Sequence, residues 1–208
     1  MELTKMTVRE FADVLSSDAP APGGGSTAAL AGSLGAALTA MVCALTLGRK
    51  KYADDAIRAE YVQKKALALQ EEWMAAVDSD TEAFNLVSAA YGMPKDTPEE
   101  KAARSEAIQK GLAACIESPL RMMELASEAL NAAAELSEGF NDSAASDLGV
   151  SVLMLKSALL GAWLNVKINL GSLKDTDAAE AYKNCGQALL DRSLPLADEL
   201  FAKIEGMM

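Results

Sequence analysis

The chain has 208 residues, a formal charge of −11 and no histidine, with half its residues hydrophobic but only 5% aromatic. The length allows one large domain or two small ones with a real core, and the alanine-rich, aromatic-poor mixture suits packed helices rather than sheets. The acidic balance argues against a nucleic-acid partner, and the missing histidine excludes a histidine-ligated metal, leaving proton transfer to carboxylates, lysine, tyrosine, cysteine or water.

Thr7-Val8-Arg9-Glu10 reads as a capping box that opens a short helix to about Ser16. Pro20-Ala21-Pro22-Gly23-Gly24-Gly25-Ser26 follows, placing three glycines where a helix is about to begin. Each glycine costs roughly 1 kcal/mol of helix propensity against alanine, so something must offset them. A turn with positive φ, a close backbone neighbour, or free N–H groups aimed at an anion or carbonyl would each do so. Tight packing against another helix and approach of a ligand both stay open.

From Thr27 to Leu47 no residue is charged or proline, and the second helix ends near Gly48. Its length matches a membrane span, but it is rich in small residues and no second uncharged span is evident. Ala28, Gly32, Ala36 and Ala40 recur every four positions and permit close backbone approach. A central helix of a soluble bundle, or of a subunit interface, is the better reading, and no membrane is expected. Arg49-Lys50-Lys51 is either a solvated helix end or a landing site for an anion.

A third helix runs from near Asp54 to Tyr91, and the segment Gly92 to Pro98 stops it and caps the next. The fourth extends to about Leu136 with a kink expected at Pro119, and Gly139 to Asp142 forms a turn. A fifth reaches about Leu170, and a sixth spans Asp175 to about Ile204 with a bend at Pro195. The expectation is a single all-α domain over 1–208, an up-and-down bundle of about six helices, several of them long.

Two helices carry polar groups on apolar stripes. Trp73, Val77, Asp80, Phe84, Val87 and Tyr91 share one face, predicted buried, with Asp80 in its middle. A carboxylate there must be paired, hydrogen-bonded or protonated, with its pKa raised; it either bridges to a neighbouring helix or serves as a general acid/base. Asp78 falls about 200° away round the helix and is expected to be solvated. In the fifth helix, Asp147, Ser151, Leu155, Ala158, Ala162, Asn165 and Asn169 form a second stripe, polar at both ends. Asn165 and Asn169 lie one turn apart and suit either a flat heterocycle or a tie between helices. Asp147 is either functional or simply favoured by the helix dipole.

Cys43, Cys115 and Cys185 are far apart among small or apolar neighbours, which predicts buried reduced thiols and a cytoplasmic protein. Charges at Glu2, Lys5, Arg9 and Glu10 break any apolar start, so no signal peptide is expected.

The same residues carry a family likeness. PAPGGGSTAALAGSLGAALTAMV at Pro20 to Val42 and LTLGRKKY at Leu45 to Tyr52 resemble the cyclodeaminase/cyclohydrolase family of one-carbon folate enzymes. DSDTEAFNLVSAAYGMPKDTPEEKAAR from Asp78 to Arg104, SDLGV at Ser146 to Val150 and ALLGAWLNVKINL at Ala158 to Leu170 extend the likeness along nearly the whole chain. Met93 departs from the leucine expected there, a swap that preserves volume.

The resemblance implies an all-α bundle, a homodimer, and a tetrahydrofolate derivative as substrate, mono- or polyglutamylated, with no further cofactor and no metal. It implies a stand-alone form, to be partnered by a separate formiminotransferase. As a cyclodeaminase the protein would close 5-formiminotetrahydrofolate to the 5,10-methenyl compound and release ammonia. As a cyclohydrolase it would open the methenyl compound with water to 10-formyltetrahydrofolate. Asp80 and Asp147 are then expected to be catalytic and to face one cavity, with Asn165 and Asn169 binding the pterin. Gly23, Gly24, Gly25 and Ser26 would line the site, and Lys50 and Lys51 would meet the glutamate tail. A non-catalytic helical scaffold or binder is the competing class; it would leave the two aspartates apart or locked in ion pairs.

Overall fold

A computed structural model describes residues 2–208. Six α-helices account for most of them: α1 Val8–Leu15, α2 Gly24–Thr46, α3 Ala56–Tyr91, α4 Pro98–Leu136, α5 Ala145–Leu170 and α6 Thr176–Glu205. Short 3-10 turns at Leu3–Lys5, Lys50–Asp55 and Asp142–Ala144 join or precede them, and no strand occurs among the described residues. The expected all-α bundle is what forms.

Capping chemistry sets several helix starts. Thr7 and Glu10 form the predicted box at α1, and Thr97 and Glu100 form a second at α4, where Pro98 takes the first helical position. Asp175 caps α6 by accepting the Ala178 amide. Helix α2 begins at Gly24, three residues before the expected Thr27, so Gly24 and Gly25 belong to its first turn.

Helices α2, α3, α4 and α5 close a square in which each packs on two neighbours, and α6 lies against α4 and α5. The stripes explain the order. Val62, Ala66, Leu69, Trp73 and Val77 of α3 are buried, as are Leu148, Val152, Leu155, Leu159, Ala162 and Val166 of α5. The small-residue face of α2 also works as expected: a methyl group at Gly32 would fall 2.4 Å from the Trp73 ring. Ser151 donates to the Gly35 carbonyl and hydrogen-bonds Thr39, so the one polar side chain at the middle of the α5 stripe is satisfied.

Several expectations need correction. The α5 stretch Asp142–Leu170 is a second helix long and apolar enough to cross a membrane, beside α2; about half of each is buried in the bundle. Pro119 and Pro195, by contrast, lie inside α4 and α6 as expected and end neither helix. Cys43 is buried and Cys115 half-buried, but Cys185 is exposed. Asp78 is not simply solvated: it accepts the Leu3 amide at 2.7 Å and the Thr4 hydroxyl at 2.8 Å, pinning the N-terminal turn to α3.

Candidate active site

Because neighbouring helices run antiparallel, the start of α2 meets the last third of α3 and the end of α5. Ser26, fully buried in the first turn of α2, donates its hydroxyl to Asp80 Oδ2 at 3.0 Å. Thr81 Oγ1 lies 3.3 Å from the same hydroxyl, so a Thr81–Ser26–Asp80 chain forms when the carboxylate is ionised. The Asp80 carboxylate rests against the α2 backbone at Gly25, where a methyl group would lie 2.1 Å from Oδ1. The second glycine of the helical turn is thus explained by close approach. Positive φ is not the reason, since Gly48 alone has it among the described residues.

Burial pushes the Asp80 carboxyl above its ordinary value, while the Ser26 hydroxyl and amide oppose that shift. The α2 N-terminus acts in the same direction as Ser26, favouring negative charge. The outcome is a half-buried carboxyl held in one orientation and able to exist in both protonation states. Burial also raises the Cys115 thiol, and the Asp80 charge adds to it.

Asn165 and Asn169 stand on the same face of α5. Asn165 Nδ2 donates to the Gly161 carbonyl at 2.9 Å, and Asn169 Nδ2 to the Asn165 carbonyl at 2.9 Å. Asn169 Nδ2 also reaches the Cys115 carbonyl at 3.3 Å. That carbonyl is four residues before Pro119, which has no N–H to give it, so Asn169 replaces the missing helical donor. With both amide NH2 groups turned to backbone, neither amide oxygen has a partner among the described residues, and both residues line a cavity.

That cavity, about 400 Å³, is walled by Gly23, Gly24, Gly25, Asp80, Asn165 and Asn169, with Phe84, Tyr91 and Ile168 as its apolar side. Phe84 and Tyr91 are exposed while Val87 is buried in a second, smaller core cluster, so beyond Asp80 the predicted α3 stripe is part core and part cavity wall. The cavity therefore offers an acid/base carboxyl, acceptor oxygens for N–H groups, and aromatic surface for a flat ring. Among the described residues, no group of three or more potential metal ligands occurs.

Asp147 is not part of it. It lies half-buried in the first turn of α5, and the 18 residues to Asn165 place the two roughly 27 Å apart along the helix. Asp80 and Asp147 therefore do not face one cavity within the chain. Lys50 and Lys51 are also misplaced, because they follow the far end of α2, roughly 33 Å along the axis from Gly24. Lys51 is tied to Asp142 at 2.6 Å.

The sequence reading missed Thr81, Cys115 and Ser172 as cavity residues, and took Phe84 and Tyr91 for core. It also missed a basic recess beside the cavity, lined by Lys95, Lys101, Arg104 and Lys174. The available signal was the pairing of Lys101 and Arg104 at helical spacing just after a loop read as stopping one helix and capping the next.

Comparisons with known proteins agree along the chain. Residues 7–187 match the family model described as formiminotransferase-cyclodeaminase. The chain is 38% identical to a methenyltetrahydrofolate cyclohydrolase of Methylorubrum extorquens over 96% of both proteins. It is 34% identical to the formimidoyltransferase-cyclodeaminase of Rattus norvegicus, matching 98% of this chain but spanning only 38% of that longer protein. A crystal structure of formiminotetrahydrofolate cyclodeaminase from Thermotoga maritima superposes with a TM-score of 0.82 over 99% of this chain and 97% of the other; at 22% identity this likeness concerns the fold.

Proposed function

The chain belongs to the formiminotransferase-cyclodeaminase family, and from that premise we propose that it works on the one-carbon unit of tetrahydrofolate as a cyclodeaminase. N10 of 5-formiminotetrahydrofolate attacks the formimino carbon, giving a carbon bonded to N5, N10 and the departing nitrogen. The N10 proton is removed, the departing nitrogen is protonated, and ammonia leaves as the 5,10-methenyl cation forms.

Asp80 suits both transfers. Its carboxylate takes the N10 proton and its carboxyl returns one to the leaving nitrogen, and its negative charge offsets the cationic amidine. One carboxyl in both roles removes the need for Asp147. The observation that carries the reading is Asp80 itself, raised by burial and held by Ser26 against Gly25 inside the cavity. Asn165 and Asn169 offer amide oxygens to pterin N–H groups, and Phe84 and Tyr91 offer ring faces.

The cyclohydrolase reaction is the second reading, favoured by the Methylorubrum match along 96% of both chains. Water adds to the methenyl carbon, Asp80 takes its proton, and the C–N5 bond breaks as N5 is protonated, leaving 10-formyltetrahydrofolate. Both reactions pass through a tetrahedral carbon between two nitrogens. Following ammonia release from 5-formiminotetrahydrofolate, beside loss of methenyl absorbance, separates them; turnover of neither compound overturns the proposal.

A homodimer is part of the proposal. Leu34, Met41, Val150 and Met154 line an apolar groove between α2 and α5, and Leu164 is also exposed, so a second copy has a face to cover. A cytoplasmic location, away from membranes and served by a separate formiminotransferase, completes it.

A further inference from the structure

The basic recess is unusual for this chain. Lys95 and Lys101 flank the start of α4, Arg104 lies one turn further on, and Lys174 closes the side from the α5–α6 connection. None of the four has an ion-pair partner among the described residues, although acidic residues outnumber basic ones 30 to 19. Two of the neighbouring carboxylates are occupied elsewhere: Glu100 accepts the Asp96 and Thr97 amides, and Asp175 accepts the Ala178 amide.

The recess is also built rather than splayed. Arg104 donates to the Tyr91 carbonyl at 3.1 Å and lies 5.7 Å from the Tyr91 ring centroid. Its Nε is sealed from solvent without a partner. Lys174 donates to Ser105 Oγ at 2.6 Å, and Gln109 bonds the Lys174 amide and the Ser172 carbonyl, fixing the connection against α4. Four like charges converging on about 420 Å³ repel one another, and an anion would offset that repulsion.

Tyr91, Leu112 and Ser172 line both this recess and the Asp80 cavity, so the two volumes share a wall and adjoin. Resting on the folate reading above, we propose that the recess docks the carboxylates of the substrate's glutamyl tail while the reacting head sits at Asp80. The anion comes attached to the substrate, and two or more carboxylates in series match several separate cations better than one. The residues expected to hold the tail are thus Lys95, Lys101, Arg104 and Lys174, in place of Lys50 and Lys51.

The test is the dissociation constant of 5-formyltetrahydrofolate carrying one or three glutamates, measured by calorimetry at low and high salt. The expected result is tighter binding of the triglutamate by about tenfold at low salt, narrowing as salt rises. Lys101→Gln with Lys174→Gln should lose most of that ratio, Lys101→Arg with Lys174→Arg should keep it, and Lys50→Gln should keep it. Equal affinity of the wild type for both tails overturns the proposal, as does an unchanged ratio in the glutamine variant or its loss in Lys50→Gln. Turnover is assayed separately. A tail-dependent ratio without turnover of either one-carbon folate condemns the reaction and spares the recess; turnover without such a ratio does the reverse.

Discussion

The two ends of the bundle treat their polar groups differently. At the end where α2 starts and α5 finishes, Asp80, the two asparagine oxygens and four cations open onto adjoining cavities. At the opposite end, polar groups consume one another: Lys51 and Tyr52 both bond Asp142, and Asn141 donates to the Leu45 carbonyl and receives Ser143. Thr46 Oγ1 accepts the Asn141 amide as well. Such mutual satisfaction seals a helix connection, whereas groups that keep spare donors or acceptors or an unpaired charge beside a cavity can take a ligand. Asp147 belongs to the sealed end by position, in a first turn where the helix dipole favours its charge.

Perturbing each end should therefore give unequal results. The largest effect is expected from Asp80→Asn, which keeps the shape and removes proton transfer: kcat should fall about 100-fold or more with the fold retained by circular dichroism. Gly25→Ala comes next, because the added methyl group would collide with the Asp80 carboxylate at 2.1 Å. Displacing that carboxyl should cost kcat about tenfold or more, in keeping with the sensitivity of proton transfer to position.

Ser26→Ala should act through titration. Folding favours the protonated form of Asp80, so this stabilisation is present below the ordinary value of 3.8 and lost as pH rises through the raised folded value. Removing the Ser26 hydroxyl removes an influence that lowers the pKa. The limb of kcat/KM that reports ionised Asp80 should move to higher pH, and a limb that stays fixed or moves down contradicts the assignment. Asn169→Ala should cost about 1 kcal/mol in denaturant unfolding, since the Cys115 carbonyl loses the donor that stands in for Pro119. Asp147→Asn should be the smallest change, within about twofold in kcat.

Helix periodicity made the fold legible. The α5 core positions, the α3 stripe from Trp73 to Val77, the Thr7 box and the turns at Gly92 to Pro98 and Gly139 to Asp142 stand where the pattern puts them, whereas Phe84 and Tyr91 leave the core. Asp80, Asn165 and Asn169 were legible for the same reason, as polar groups on apolar faces. What periodicity cannot supply is position along the axis relative to another helix: Asp147 and Asn165 share a stripe yet lie at opposite ends of α5. Lys50 and Lys51 fail similarly, being near Gly23 in the sequence of elements but a full helix length away. The recess was hidden because Lys95, Lys101, Arg104 and Lys174 come from a loop, a helix start and a second connection that only the tertiary fold brings together. The glycines were half legible; their cause at Gly25 is a carboxylate from a helix 55 residues later in sequence.

The most direct test is a crystal structure with 5-formyltetrahydrofolate bound. The one-carbon group should lie within hydrogen-bond reach of Asp80, the pterin against Asn165 and Asn169, and the glutamate directed towards Arg104. A ligand seated at the Lys50 and Asp147 end, with the Asp80 cavity empty, would contradict it.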